Sequence, residues 1–125
     1  MTTAYLCVLI AALMPLIWVG VAKAPSGLKY DNSAPRAFAE KLSGYRQRAY
    51  WAHLNSFEAF PPFAAAVVIA HQLQFAQGRL DQLAMGFIAF RLVYGVLYIA
   101  DRSTLRSVAW FGAVCCWVAM FFIGA

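Results

Sequence analysis

TAYLCVLIAALMPLIWVGVA, residues 3–22, runs for twenty positions without a charged side chain. A helix rises 1.5 Å per residue, so twenty residues reach about 30 Å, the thickness of a bilayer's hydrocarbon core. A small soluble domain leaves too much of its area exposed to hide such a helix all round. The rest of the chain agrees. Of 125 residues, 63% are hydrophobic and only 12% charged, against roughly 45–50% and about 25% in soluble domains. That balance excludes a disordered chain, a nucleic-acid module and a secreted disulfide scaffold. The net charge of +5 is read as membrane orientation, with no nucleic-acid partner. The length corresponds to one domain, residues 1–125.

Three further apolar runs follow, at about 48–76, 80–100 and 105–124. One long connection, 23–47, is rich in Pro, Gly, Ser and Asn, and the other two are short. Short connections force antiparallel neighbours, so the chain is expected to be an all-α membrane protein, an up-down bundle of four transmembrane helices. The first run has no Lys or Arg before it and is long for a signal peptide, so it reads as a retained helix. The face holding the first and third connections carries Lys23, Lys29, Arg36, Lys41, Arg46, Arg48, Arg102 and Arg106; the other carries Arg79 alone. By the positive-inside rule, both termini lie outside the cytoplasm. The compact length points to a bacterial inner membrane.

Polar residues inside these spans are the functional candidates, because an ionisable group in hydrocarbon is expensive. The second span carries His53, Asn55 and Glu58, and the third carries Arg91. Glu58 and Arg91 each lie ten residues from the cytoplasmic end of their span, about 15 Å deep. At matching depth on antiparallel neighbours, they are expected to pair directly. At 100° per residue, Arg48, Asn55, Glu58 and Pro62 share an arc of about 80°. Arg91, Tyr94 and Tyr98 form a second stripe, and Arg106 and Ser107 open the fourth helix at the same mouth. The set forms a polar cleft suited to an anionic or peptide-like group from the cytosol. Plainer readings stand beside it: a structural Glu–Arg clamp, interfacial tyrosines, and Trp18, Trp51, Trp110 and Trp117 as anchors and packing. His53 is expected to bond a neighbouring helix, and His71 to sit at the outer interface. Pro61 and Pro62 are expected to kink the second helix. Cys7, Cys115 and Cys116 are odd in number with no metal-ligand spacing, so they read as packing.

The run from Ala52 to Phe63, with Asn55, Glu58, Pro61, Pro62 and Phe63, resembles the second-helix signature of the MAPEG family, the membrane-associated proteins in eicosanoid and glutathione metabolism. Arg91, Tyr94 and Tyr98, followed by Arg106-Ser107, resemble its third-helix and fourth-helix positions. The chain looks most like a small member of bacterial type. The resemblance implies a homotrimer with active sites between protomers, glutathione as co-substrate, and a lipophilic electrophile arriving from the bilayer. By position, Asn55 and Glu58 would hold the glutathione backbone and amine, with Arg91 bracing Glu58. Tyr94 and Tyr98 would contact the peptide, Arg106 would lie near the sulfur, and Ser107 would donate a hydrogen bond to it. Family members with glutathione chemistry carry a further Arg close before the Asn. Here Trp51 and Leu54 are uncharged, and Arg48, one turn earlier, is the candidate substitute.

The expected activity is therefore a membrane-embedded glutathione-dependent transferase or peroxidase. One alternative is a non-catalytic binding or scaffold protein of the same fold. Another is a small proton-coupled exporter, which the uncharged first span and the strong Lys/Arg bias disfavour.

Overall fold

The computed structural model describes residues 1–25 and 29–124. Among them lie five helices and no strand: α1 (Thr3–Ala22), α2 (Pro35–Glu40), α3 (Gly44–Gln72), α4 (Gln77–Ile99) and α5 (Ser103–Met120). α1 has the bounds of the charge-free run 3–22, and α3, α4 and α5 begin and end a few positions from the apolar runs at 48–76, 80–100 and 105–124. The long connection also holds an unexpected helix. Pro35 opens α2 at its first turn, where a missing N–H costs nothing, and Phe38 and Ala39 bury against Ala22, Leu42 and Ala49.

Three helices, α1, α4 and α5, are long and apolar enough to cross a membrane. α3 has the length but not the composition. Its N-terminal half carries Arg46, Gln47, Arg48, His53, Asn55 and Glu58, of which Asn55 and Glu58 enter the site. The helix continues through both Pro61 and Pro62. Their missing amides leave the carbonyls of Phe57 and Glu58 without an i+4 donor.

Packing runs opposite to that of a soluble bundle. On α1 the small residues Ala4, Cys7 and Ala11 turn inward, while Leu9, Leu13, Leu16 and Ile17 remain about half exposed. Small residues let membrane helices approach closely, and large aliphatic ones are at home in lipid. α1 packs on α3 and α4, and α5 packs chiefly on α4. Gly95 of α4 lies tight against α1: a Cβ there would collide with the Trp18 indole. Phe63 and Phe87 stack in parallel at 3.9 Å in the main core. Cys7 is buried with that core, Cys115 is exposed, and Cys116 is intermediate, all three as free thiols.

Both ends of α1 are capped by other helices. At its start the Asp81 carboxylate accepts from the Ala4 N–H at 2.9 Å. At its end Arg46 donates to the carbonyls of Ala22, Ala24 and Pro25. An anion at the N-terminus and a cation at the C-terminus complement the helix dipole. α3 and α4 close on residues in the left-handed region, Gln74 (φ 57°) and Asp101 (φ 60°). In each, the next amide reaches back five residues, from Phe75 to Ala70 and from Arg102 to Leu97, which completes a Schellman turn. These two tight turns set α3, α4 and α5 antiparallel.

Candidate functional site

Arg91 lies inside the bundle at 2% exposure. Its Nη2 donates to Asn55 Oδ1 at 2.7 Å, and Asn55 Nδ2 donates to Glu58 Oε2 at 3.1 Å. The direct Glu58–Arg91 pair expected from matching depth is therefore replaced by a relay with an amide between the charges. A guanidinium only donates and a carboxylate only accepts, so the amide's orientation is fixed by its partners. The physical reason is the position of Asn55, one turn before Glu58 on the same stripe. It gives Arg91 Nη2 an acceptor without drawing a second charge out of solvent, and Glu58 stays exposed.

From Arg91 an aromatic series runs toward the end of the bundle where α4 turns into α5. The Arg91 guanidinium lies 4.1 Å from the Tyr94 ring centroid, and Tyr94 meets Tyr98 edge-on at 5.7 Å. Arg106 stands 4.3 Å from the Tyr98 ring, and Trp51 flanks Tyr98 at 6.3 Å. Cation–aromatic contacts of this kind orient a guanidinium while leaving its N–H groups free for other acceptors. Helices α3, α4 and α5 thus each place one part of the expected set.

Two cavities meet at Asn55 and Glu58. The first, about 380 Å³, is walled by those two residues with Trp51, Leu54, Tyr94 and Tyr98. It offers a carboxylate, an amide and two phenols, with Arg106 behind one of the rings. The second, about 260 Å³, lies between α3, α4 and α5 and is largely apolar. Trp110, Ala113, Val114 and Trp117 form its α5 wall, with Pro62 and Phe87 opposite and Arg91 in its lining. The two tryptophans were expected to act as anchors and packing; both instead line this cavity. Arg106, Trp110, Ala113 and Trp117 share a narrow face at 100° per residue, which is the signal that could have found them.

Arg48 and Ser107 are not in either wall. Arg48 Nε donates to the Ile99 carbonyl at 3.0 Å, capping the end of α4, and Ser107 Oγ donates to the Ser103 carbonyl one turn back. His53 does bridge helices as expected. Its Nδ1 lies 2.8 Å from the Pro15 carbonyl, so that nitrogen carries the proton. At the opposite end of the bundle His71 contacts Gln77 at 3.3 Å and stacks obliquely on Tyr5. Among the described residues no group of His, Cys, Asp and Glu is arranged to hold a metal.

No curated protein and no solved structure gives a significant match to the chain. Residues 3–125 match the MAPEG family, and with three helices fit to cross a bilayer this integral membrane protein belongs to the MAPEG family.

Proposed function

We propose that the protein is a membrane-embedded, glutathione-dependent transferase or peroxidase acting on a lipophilic electrophile. The observation that carries the reading is the Arg91–Asn55–Glu58 relay, which presents an exposed carboxylate to an aromatic cavity beside a second guanidinium. Glu58 and Asn55 bind the amine and backbone of glutathione, and Tyr94 and Tyr98 contact the peptide. Arg91 holds Glu58 through Asn55. Arg106 favours the thiolate, the nucleophilic form of a thiol whose ordinary pKa is about 8.5. Ser107 donates to the sulfur once it releases Ser103. With an aryl halide, the sulfur–carbon bond forms, the halide leaves with the bonding pair, and the thiol proton goes to solvent. The α3 helix is the fourth membrane span, and the working unit is a homotrimer in the bacterial inner membrane with both termini outside the cytoplasm.

A specific observation favours the scaffold reading as second choice. Trp51 and Leu54 present apolar walls where a further cation is expected, and Arg48 is tied to the α4 terminus through Nε. Its two Nη groups are then what is left to meet a glutathione carboxylate. Titrating glutathione into the purified protein, following thiolate absorbance near neutral pH, and assaying conjugation of a chloro-dinitrobenzene separate the two. The enzyme binds, ionises and conjugates, and Arg106→Ala abolishes conjugation while the fold is retained. An Arg106→Ala variant as fast as wild type would remove the thiol-activating role.

A further inference from the structure

We propose that the connection between α1 and α3 binds the phosphodiester of an anionic, hydroxyl-bearing phospholipid such as phosphatidylglycerol, in a cavity between Lys29 and Lys41 at the bilayer surface. This cavity shares no residue with the two that meet at Asn55 and Glu58, so the site stands apart from the thiol reading.

Charge sets the first condition. Residues 23–48 carry Lys23, Lys29, Arg36, Lys41, Arg46 and Arg48 against Asp31 and Glu40. Three of these cations have internal partners. Arg46 donates to carbonyls at the end of α1, and Arg48 donates to the Ile99 carbonyl. Lys23 donates to the Tyr30 hydroxyl at 3.1 Å and lies 4.7 Å from the centroid of that ring. Lys29 and Lys41, both exposed, line a common cavity of about 270 Å³ together with Ala34, Ala37 and Phe38. Each lysine near an anionic membrane surface raises affinity about fivefold, and here two of them converge on one recess.

Placement sets the second. α1 is apolar enough to span the bilayer and ends at Ala22. Phe38 packs in one cluster with Ala22 and meets the Tyr30 ring edge-on at 5.2 Å. The cavity is therefore tied to the end of a membrane span, the level at which lipid phosphates lie.

The lining also selects among headgroups. A cavity of about 150 Å³ accommodates a benzene ring, so about 270 Å³ takes a phosphodiester with a small polyol. Asp31 belongs to the same lining. It accepts from the Ser33 amide at 3.0 Å and the Ser33 hydroxyl at 2.6 Å, both through Oδ1. Oδ2 keeps its capacity to accept from a headgroup hydroxyl. Two ammoniums and one carboxylate sum to a lining charge of +1, which complements a headgroup of net negative charge. Choline esters are neutral overall and bring no donor for Asp31.

The test titrates the protein in detergent micelles with phosphatidylglycerol, phosphatidylcholine or soluble glycerophosphoglycerol, and counts bound molecules by native mass spectrometry. We expect one saturable phosphatidylglycerol per chain, about tenfold tighter than phosphatidylcholine. Lys29→Gln/Lys41→Gln should weaken it about tenfold or more. Ala37→Leu, at an exposed position, narrows the cavity without changing charge and should weaken it at least threefold. Arg36→Gln/Arg102→Gln removes the same charge outside the lining and should stay within twofold of wild type. Saturation unchanged in the lysine and Ala37 variants, or equal affinity for phosphatidylcholine, overturns the proposal. An arginine pair that loses as much as the lysine pair reduces the effect to diffuse surface attraction and overturns it as well. Glycerophosphoglycerol saturating at the same concentration as the lipid would make the ligand a soluble anion and refute the lipid assignment.

Discussion

Replacing Asn55 by Leu tests the relay at its midpoint. Leucine keeps the branching of asparagine and removes both hydrogen bonds, the 2.7 Å bond from Arg91 and the 3.1 Å bond to Glu58. The two losses are unequal. Arg91 is buried and its other terminal nitrogen already has no acceptor among the described residues. Without Asn55, the Tyr94 ring is its nearest compensation. Hydrogen bonds to charged groups contribute about 1.5–3 kcal/mol, and stranding a buried charge costs about 3–5 kcal/mol. The Tyr94 contact is present before and after the change, so the expected cost of Asn55→Leu is about 3–5 kcal/mol. Glu58 is exposed, and in Glu58→Gln the new amide oxygen still accepts from Asn55, so that change should cost less than about 1 kcal/mol. Equilibrium unfolding in mixed micelles, followed by circular dichroism, measures both. A Glu58→Gln variant that loses as much stability as Asn55→Leu would refute the relay and restore the direct ion pair.

Four further outcomes follow from the packing. Gly95→Ala drives a Cβ into the Trp18 indole and should cost at least about 1–3 kcal/mol, read as a lower thermal midpoint. Arg46→Ala removes the cation that meets three carbonyls at the end of α1; a loss of about 1–2 kcal/mol is expected, measurable in the same unfolding assay. Asp101→Gly places glycine where φ is +60°. Relief of about 1–2 kcal/mol of left-handed strain, less glycine's entropy cost, should stabilise the protein by about 0.5 kcal/mol. In the connection, the Ser33 hydroxyl and amide bond the Asp31 carboxylate and hold its pKa below the usual range. A depressed folded pKa gives a turn that is intact above the unfolded value and lost as pH falls through the folded one. The Ser33 amide should therefore lose its hydrogen-bonded chemical shift on acidification, and Asp31→Asn should flatten that titration.

The helices were legible where hydrophobicity alone decides them, and less so where turn chemistry does. α1 is charge-free and ends at a lysine, so its bounds could be read directly. α3 and α4 turn off at Gln74 and Asp101, in a backbone conformation usually signalled by glycine or asparagine; with neither there, hydropathy carries the expected ends to 76 and 100, past Gln72 and Ile99. α2 was missed because six residues give too short a periodicity, although Pro35 and Phe38 mark it. For the site, counting residues puts Glu58 and Arg91 at a common depth, with Asn55 on the Glu58 stripe. It could not choose which of two polar groups on one stripe would meet the guanidinium, since that depends on side-chain reach rather than on angle.

That choice has a functional consequence. Had Glu58 paired with Arg91, both charges would have been neutralised inside the bundle, leaving a clamp with nothing to offer a ligand. With Asn55 between them, Arg91 is anchored by a neutral acceptor and Glu58 keeps its outward lone pairs. An amide polarised by a cation on one side donates more strongly on the other, so the carboxylate is held in place without being discharged. Such a carboxylate is preorganised to accept an ammonium group: its rotamer is set by the bundle before any ligand arrives. The same two residues of α3, Asn55 and Glu58, also line the tryptophan-walled cavity. Two residues spaced i and i+3 on α3 thus stand between a cavity lined by two phenols and one that is largely apolar, which is the arrangement the proposed function asks of two reactants of opposite solubility.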